Sequence, residues 1–106
     1  MVMRYIRLCY DRPGTEQLRN TLRAIHRAYF QDNLREGSAV RVIDAGPLCV
    51  NDSDDTNIAS FMIIEANSKA DVVKFHDNDP FTKANLYERV DIERWDQHFA
   101  NGKKLI

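Results

Sequence analysis

The sequence predicts a single α+β domain whose elements follow the order β, α, β, β, α, β. Its length of 106 residues suits one hydrophobic core. Apolar residues recur with the two-residue period of strands in some segments and with the period of about 3.6 residues of helices in others. We expect one domain over residues 1–97, followed by a C-terminal tail over residues 98–106 that has no clear pattern.

The first strand and the first helix are predicted near the N-terminus. Residues 2–11 are rich in β-branched and aromatic side chains and precede the turn sequence Arg-Pro-Gly, which indicates a strand. Residues 16–35 predict a helix, for which Thr15 is an N-cap residue and Gly37 a stop signal. The apolar residues at helical spacing are Leu18, Leu22, Ile25 and Tyr29.

The remaining elements complete an antiparallel sheet. Residues 39–47 alternate and end in Gly-Pro, and residues 58–66 form a denser apolar strand. Ser68 is the predicted N-cap of a second helix over residues 69–76, and residues 86–95 alternate as a final strand. This order is that of the ferredoxin-like fold, in which both helices cover one face of a four-stranded antiparallel sheet.

An acidic segment lies between the second and third strands. Residues 48–57 include Asp52, Asp54 and Asp55, a composition that could serve calcium. However, the Gly and the distal Glu of an EF-hand loop are absent. We therefore expect a solvated, mobile loop that holds no metal.

The charge balance excludes several classes of partner. With 15 basic and 16 acidic side chains, the formal net charge is -1. We expect neither nucleic acid nor an anionic membrane as a partner, because no overall positive field would attract them. Small neutral or weakly charged ligands suit this composition better.

The N-terminal sequence and the cysteines indicate the cellular compartment. No apolar run approaches the roughly 20 residues that span a bilayer, and Arg4 and Arg7 interrupt the region where a signal peptide needs an apolar core. Cys9 and Cys49 form no Cys-x-x-Cys pair. We therefore expect a cytoplasmic protein with two reduced, buried thiols.

The strands carry apolar side chains on both faces, whereas the helices can cover only one. An open apolar face would exceed what soluble monomers usually expose. We therefore expect a homodimer in which the sheets of two subunits pack together. In the first strand the opposed apolar sets are Val2, Ile6 and Leu8 against Met3, Tyr5 and Cys9.

His26 is a candidate functional residue of the first helix. At about 100° per residue, His26 lies roughly 70° from the centre of the predicted apolar stripe, at the boundary between core and solvent. Arg19 and Asn33 share this flank, and Arg23 lies further toward solvent. The polar group is compatible with the wall of a pocket. From the residues alone, a core-edge histidine that bonds a carbonyl, together with solvated arginines, is the more usual interpretation.

Asp79 has a structural role that leaves room for a second one. Asp is a preferred N-cap and Pro is favoured at the first helical position, so Asp79 and Pro80 predict a short helical turn below which Phe81 packs. A carboxylate held in this way can also orient an imidazole. His76 has a weaker claim, and no spacing favours a metal site built from the histidines. We expect neither a metal nor a cofactor.

Several motifs resemble the YCII family, also called YciI-like proteins, when they are taken in order. They are Arg-x-x-His over residues 23–26, Ala-Gly-Pro over 45–47, an apolar strand, Asp-Pro-Phe over 79–81 and Val-x-Ile-x-x-Trp over 90–95. The resemblance covers about residues 3–95. It implies a dimeric α+β barrel with a ferredoxin-like fold, and an active site built around one His and one Asp.

The resemblance assigns roles to four residues of this chain. His26 matches the family's His, Asp79 its Asp, and Arg23 the basic position before the His. Ser60 matches the Ser of the family's usual Gly-Ser pair, although Ala59 replaces the Gly. The segment over residues 37–46 is also longer than the family pattern. Some relatives are associated with dehydrochlorination of chlorinated aromatic compounds.

The leading functional hypothesis is an enzyme that performs acid/base chemistry on a cyclic or aromatic small molecule. His26 would transfer a proton and Asp79 would orient it, while Arg23 and Ser60 would bind the substrate and stabilise an enolate or phenolate. Elimination by a lyase or isomerisation would need no cofactor. The alternatives are a non-catalytic dimeric module that binds a metabolite, and a cofactor-free monooxygenase.

Overall fold

A computed structural model describes residues 1–33 and 38–106. The end of the first helix predicted at residue 35 and the stop signal at Gly37 lie outside the described residues. The main elements are β1 (Met3–Asp11), α1 (Glu16–Gln31), β2 (Val40–Asn51), β3 (Asp54–Ala66), α2 (Lys69–Asp77), α3 (Pro80–Lys83) and β4 (Tyr87–Trp95), followed by the short strands β5 (Phe99–Ala100) and β6 (Lys103–Lys104).

The first four strands form one antiparallel sheet in the order β2-β3-β1-β4. The helices pack on one face of this sheet, which confirms the predicted α+β, ferredoxin-like fold. The N-cap predicted at Ser68 is also confirmed, because its side chain accepts a hydrogen bond from the backbone N–H of Asp71. Thr15 precedes α1 as expected, but its hydroxyl donates to the carbonyl of Arg12 instead of capping the helix.

The hydrophobic core divides into two clusters on the covered face of the sheet. The larger cluster includes Tyr5 of β1 and Phe75 of α2, and the smaller includes Cys9 of β1 and Phe81 of α3. Arg7 lies between Tyr5 and Cys9 on the same face and is completely buried. A charged side chain therefore occupies the position between the two clusters.

The buried side of α1 differs from the predicted stripe. Ile25, placed at the centre of that stripe, is 58% exposed, whereas Arg19 and His26 are the buried residues of the helix. His26 thus faces the interior and not the boundary with solvent. These polar side chains can point inward because each has a buried partner, Asp11 for Arg19 and Asp79 for His26.

The prediction of a loop over residues 48–57 is wrong. Here β2 and β3 continue as a hairpin, with a tight turn between Asn51 and Asp54 in which the Asn51 side chain accepts a hydrogen bond from the backbone of Ser53. The pairing of β1 with β3 ends at Ala59, so the hairpin extends past its neighbour. Both of its faces are solvated, which explains why its sequence is polar without alternation.

The two cysteines are free thiols, but they lie in different surroundings. Cys9 is buried as predicted, and burial raises the pKa of its thiol to about 11. Cys49 lies on the protruding hairpin and is exposed, so its predicted burial is wrong. At neutral pH Cys9 remains protonated and acts as a small apolar side chain.

Two further features lie outside the core. The tail contains a hairpin of β5 and β6, whose turn residues Asn101 and Gly102 have positive φ values of 52° and 74°. The uncovered face of the sheet carries partly exposed apolar side chains, among them Ile6 and Ile63, which are paired across β1 and β3.

No helix of the described residues is long and apolar enough to cross a membrane.

Candidate functional site

Asp79 lies at the centre of the candidate site. It is the N-cap of α3, with Pro80 at the start of the helix, and its Oδ1 accepts a hydrogen bond of 3.0 Å from the backbone N–H of Phe81. This confirms the cap predicted from the sequence. The side chain is completely buried, so its position is fixed both by the cap and by the packing around it.

His26 contacts the same carboxylate oxygen. Its Nδ1 lies 2.7 Å from Asp79 Oδ1, and because an ionised carboxylate only accepts hydrogen bonds, Nδ1 carries the proton. The imidazole is stacked on the Phe81 ring at 3.7 Å and contacts the Phe30 ring at 4.0 Å, measured between ring centroids. The hydrogen bond and the two aromatic rings together fix the orientation of the imidazole.

The other nitrogen of His26 has no partner in the part of the chain that the structure describes. Nε2 makes no hydrogen bond to any residue that the structure describes. In the same part of the chain, no fully buried side-chain nitrogen or oxygen lacks a partner, so Nε2 is accessible. When the imidazole is neutral its one proton is on Nδ1, and Nε2 then has a free lone pair that can accept a proton from a bound molecule.

Arg7 holds the second oxygen of Asp79. Its Nη2 donates to Asp79 Oδ2 at 2.7 Å, and both side chains are completely buried. Its Nε donates to His76 Nδ1 at 2.9 Å. Neither contact was predicted. The two-residue period of the strand could have indicated that Arg7 points into the core, since alternation places it on the same face as Tyr5 and Cys9.

The charge states of this network follow from its contacts. Burial alone would raise the pKa of Asp79, but the hydrogen bond from His26 and the charge of Arg7 outweigh it, so the pKa lies below its ordinary value. Burial, reinforced by the charge of Arg7, lowers the pKa of His76 to about 4. At neutral pH, Asp79 is therefore an anion and His76 a neutral acceptor.

Ser60 lies on the opposite wall of the site, on β3. Its Oγ accepts a hydrogen bond of 2.9 Å from Arg19 Nη2, and the Tyr87 hydroxyl lies 3.4 Å away. Arg19 is itself held by both carboxylate oxygens of Asp11, at 2.7 and 2.8 Å. Because the Ser60 oxygen accepts from Arg19, its own proton remains available to a bound molecule.

The Tyr87 hydroxyl connects the two walls. It lies 3.4 Å from Ser60 Oγ and 3.5 Å from Asp79 Oδ2. Burial raises the pKa of this phenol well above its ordinary value, so it stays protonated at neutral pH. Tyr87 was not predicted as a site residue, because an aromatic residue that opens a strand is usually read as part of the core.

A cavity of about 310 Å³ lies between α1 and the β2–β3 pair. Three of the four residues predicted from the sequence line it, namely His26, Arg23 and Ser60. Asp79 stands behind His26 and does not line the cavity. In residues 1–33 and 38–106, no three His, Cys, Asp or Glu side chains are grouped so that they could hold a metal ion.

The fold and the site define a small α+β protein in which His26, backed by the buried Asp79, lines a small-molecule-sized cavity. Residues 3–96 match the family model described as the YCII-related domain. The chain therefore belongs to the YCII-related family. Among curated proteins, none matches the chain.

Solved structures that are similar to the chain include the following two. One is 5-chloro-2-hydroxyhydroquinone dehydrochlorinase (TftG) from Burkholderia phenoliruptrix AC1100, in complex with 2,5-dihydroxybenzoquinone; the match has 35% identity, covers 89% of this chain and 94% of that one, and has a TM-score of 0.76. The other is PA3566 from Pseudomonas aeruginosa, with 15% identity, coverage of 91% and 93%, and a TM-score of 0.52. The second likeness concerns the fold alone.

Proposed function

We propose that the protein is a small-molecule enzyme in which His26 transfers a proton to or from a cyclic or aromatic substrate. The observation that carries this proposal is the 2.7 Å hydrogen bond between His26 Nδ1 and the buried Asp79, which leaves Nε2 without a partner among the described residues. Asp79 would select the tautomer and stabilise the imidazolium that forms. General acid/base groups placed in this way typically contribute about 10²- to 10⁴-fold to the rate.

Elimination of a halide from a hydroxylated ring is the reaction we favour. The substrate ring would first take its keto form, in which one ring hydroxyl has lost its proton and the chlorine-bearing carbon has gained one. Nε2 of His26 would then take the proton of a second ring hydroxyl, and the electron pair of that O–H bond would form a C=O bond. The ring double bond would shift to the chlorine-bearing carbon, and chloride would leave with the electron pair of its own bond. The imidazolium would then release its proton to water. The similarity to TftG, which is named as a dehydrochlorinase and was solved with a quinone, supports this choice.

Ser60 and Arg23 would bind the substrate oxygen on which negative charge develops. Ser60 has a proton to donate because its oxygen already accepts from Arg19. Arg23 lines the same cavity and would supply positive charge to an enolate or phenolate. Ser60 is held by Arg19 before the substrate enters, so it needs little reorganisation during the reaction.

We also propose that the enzyme is a homodimer that packs through the uncovered face of the sheet. The partly exposed apolar side chains of this face, such as Ile6 and Ile63, support the proposal. A non-catalytic module that binds a metabolite could use the same cavity. Turnover distinguishes this module from an enzyme.

The test is turnover of 5-chloro-2-hydroxyhydroquinone, the compound after which the neighbour is named. Chloride release should be measured anaerobically, which excludes a monooxygenase reaction. We expect His26→Gln to lower kcat by about 10²- to 10⁴-fold, whereas the matched variant of the exposed His98, His98→Gln, should be unaffected. Turnover that does not depend on His26 would contradict the acid/base role, and ring binding without turnover would favour the binding module.

A further inference from the structure

The cavity beside His26 has an unusual charge lining. Its cationic and titratable lining residues are Arg19, Arg23, His26 and Arg27, and no acidic residue of the described ranges lines it. The whole chain, in contrast, carries a net charge of -1. A concave site lined by one sign of charge concentrates ligands of the opposite sign.

The three arginines are not equivalent. Arg19 is neutralised by Asp11 and positions Ser60. Arg23 also lines an adjoining cavity together with Glu16 and Asp55, two acidic residues that offset part of its charge. Arg27 lines the cavity that contains His26 but not the adjoining one, and it forms no salt bridge with any residue of the described ranges.

Arg27 is more exposed than the groups at the reacting end of the cavity. The proton acceptor Nε2 and the Ser60 hydroxyl belong to buried residues, whereas Arg27 is exposed. Gln31 follows Arg27 by one helical turn and lines the same cavity, so two side-chain N–H donor groups lie together on this part of α1. They are suited to the two oxygens of a carboxylate.

We propose that the substrate is a hydroxylated ring that also carries a carboxylate, and that Arg27, assisted by Gln31, binds this carboxylate while the ring reaches His26. The inference rests on the proposed function, since it names the substrate class of the same site. A volume of about 310 Å³ lies at the lower end of the range for small-molecule pockets, which suits one substituted ring. Arg27 is then a specificity-determining residue and not a catalytic one.

The experiment compares ligands that differ only by a carboxylate. Titration calorimetry should measure binding of hydroquinone against gentisate, and of catechol against protocatechuate, to the full-length protein. Because of a charge-assisted hydrogen bond to Arg27, whichever of gentisate and protocatechuate binds more tightly should bind about 10- to 100-fold more tightly than its own parent ring. Raising the ionic strength should reduce this preference.

Variants identify the residue responsible. Arg27→Gln should remove the preference for the carboxylate while leaving the affinity for the parent ring unchanged, and Arg27→Lys should restore part of it. Arg94→Gln is the matched control, because Arg94 is an exposed arginine of β4 that does not line the cavity. A role of Arg27 in stability alone would lower the affinity for both members of a pair.

Failure of this inference is separable from failure of the proposed function. If each carboxylate binds no more tightly than its parent ring, or if Arg27→Gln keeps the preference, the carboxylate site is refuted. Turnover that depends on His26 would then still support the enzyme. If the preference is observed but neither 5-chloro-2-hydroxyhydroquinone nor a chlorinated hydroquinone that carries a carboxylate is turned over, the carboxylate site stands and the catalytic role of His26 falls.

Discussion

The buried pair of Arg7 and Asp79 should dominate the stability of the site. The two side chains are 2.7 Å apart and completely buried. Among the described residues, replacing Arg7 by Met would leave Asp79 Oδ2 with only the Tyr87 hydroxyl, at 3.5 Å. Removing one partner of a buried ion pair typically costs about 3–5 kcal/mol, so each of Arg7→Met and Asp79→Asn should lower the free energy of unfolding by about that amount.

The double variant should lose less than the sum of the two single variants. Two charges separated by about 4 Å interact with roughly 4 kcal/mol at an effective dielectric constant near 20. When both are replaced, neither charge is left buried alone. We therefore expect a coupling energy of about 2–4 kcal/mol between Arg7 and Asp79. The hydrogen bonds of Asp79 to His26 and Phe81 do not contribute to this value, because the double-mutant cycle isolates the interaction of the two mutated residues.

The assay is urea unfolding monitored by circular dichroism. A stabilising osmolyte is present because the single variants are expected to have a low free energy of unfolding. The matched control is a cycle on Lys69 and Glu93, which are 3.9 Å apart with side chains 54% and 69% exposed. Its coupling should be at most about 0.5 kcal/mol. Additive effects of Arg7→Met and Asp79→Asn, within about 0.5 kcal/mol, would refute the reasoning.

Three further predictions concern pH, assembly and calcium. The pKa of His76 is lowered to about 4 in the folded protein, whereas in the unfolded chain it is about 6.5. As the pH decreases from about 6.5 to 4, His76 is therefore protonated in the unfolded chain but not in the folded one, and the free energy of unfolding should fall. His76→Gln should flatten this profile, and an unchanged slope would contradict the neutral His76. Light scattering should give about twice the chain mass of 12.3 kDa, and Ile6→Glu on the uncovered face should produce a monomer; a wild-type monomer would exclude the sheet-to-sheet dimer. Calcium should leave the thermal midpoint unchanged, whereas a rise of several degrees would reveal a site in the Asp52 hairpin.

The order of the main elements could be predicted because each one carries its own period and its own turn signal. The cap at Asp79 was equally readable, since Asp followed by Pro has a local preference that needs no tertiary information. The side of α1 that faces the core could not be predicted in this way. Ile25 shifted the predicted stripe away from His26, because a buried histidine is favourable only where a partner exists, and that partner is 53 residues away in the chain.

Arg7 and the hairpins show two other reasons for failure. Arginine is almost never completely buried unless it is paired, so an analysis of apolar faces passes over Arg7 until Asp79 is placed beside it. The hairpin around Asp52 has two solvated faces, and therefore the alternation that marks a half-buried strand is missing. The tail, however, contained a usable signal in Asn101-Gly102, a pair typical of tight hairpin turns.

The sharing of one oxygen by a helix cap and an imidazole has a consequence for the dynamics of the protein. Asp79 Oδ1 accepts from both the Phe81 backbone N–H and His26. Any opening of the four-residue helix α3 that displaces Asp79 must therefore also release His26. The hydrogen exchange rate of the Phe81 amide consequently reports how often the pair is assembled, without any substrate and before a reaction has been identified.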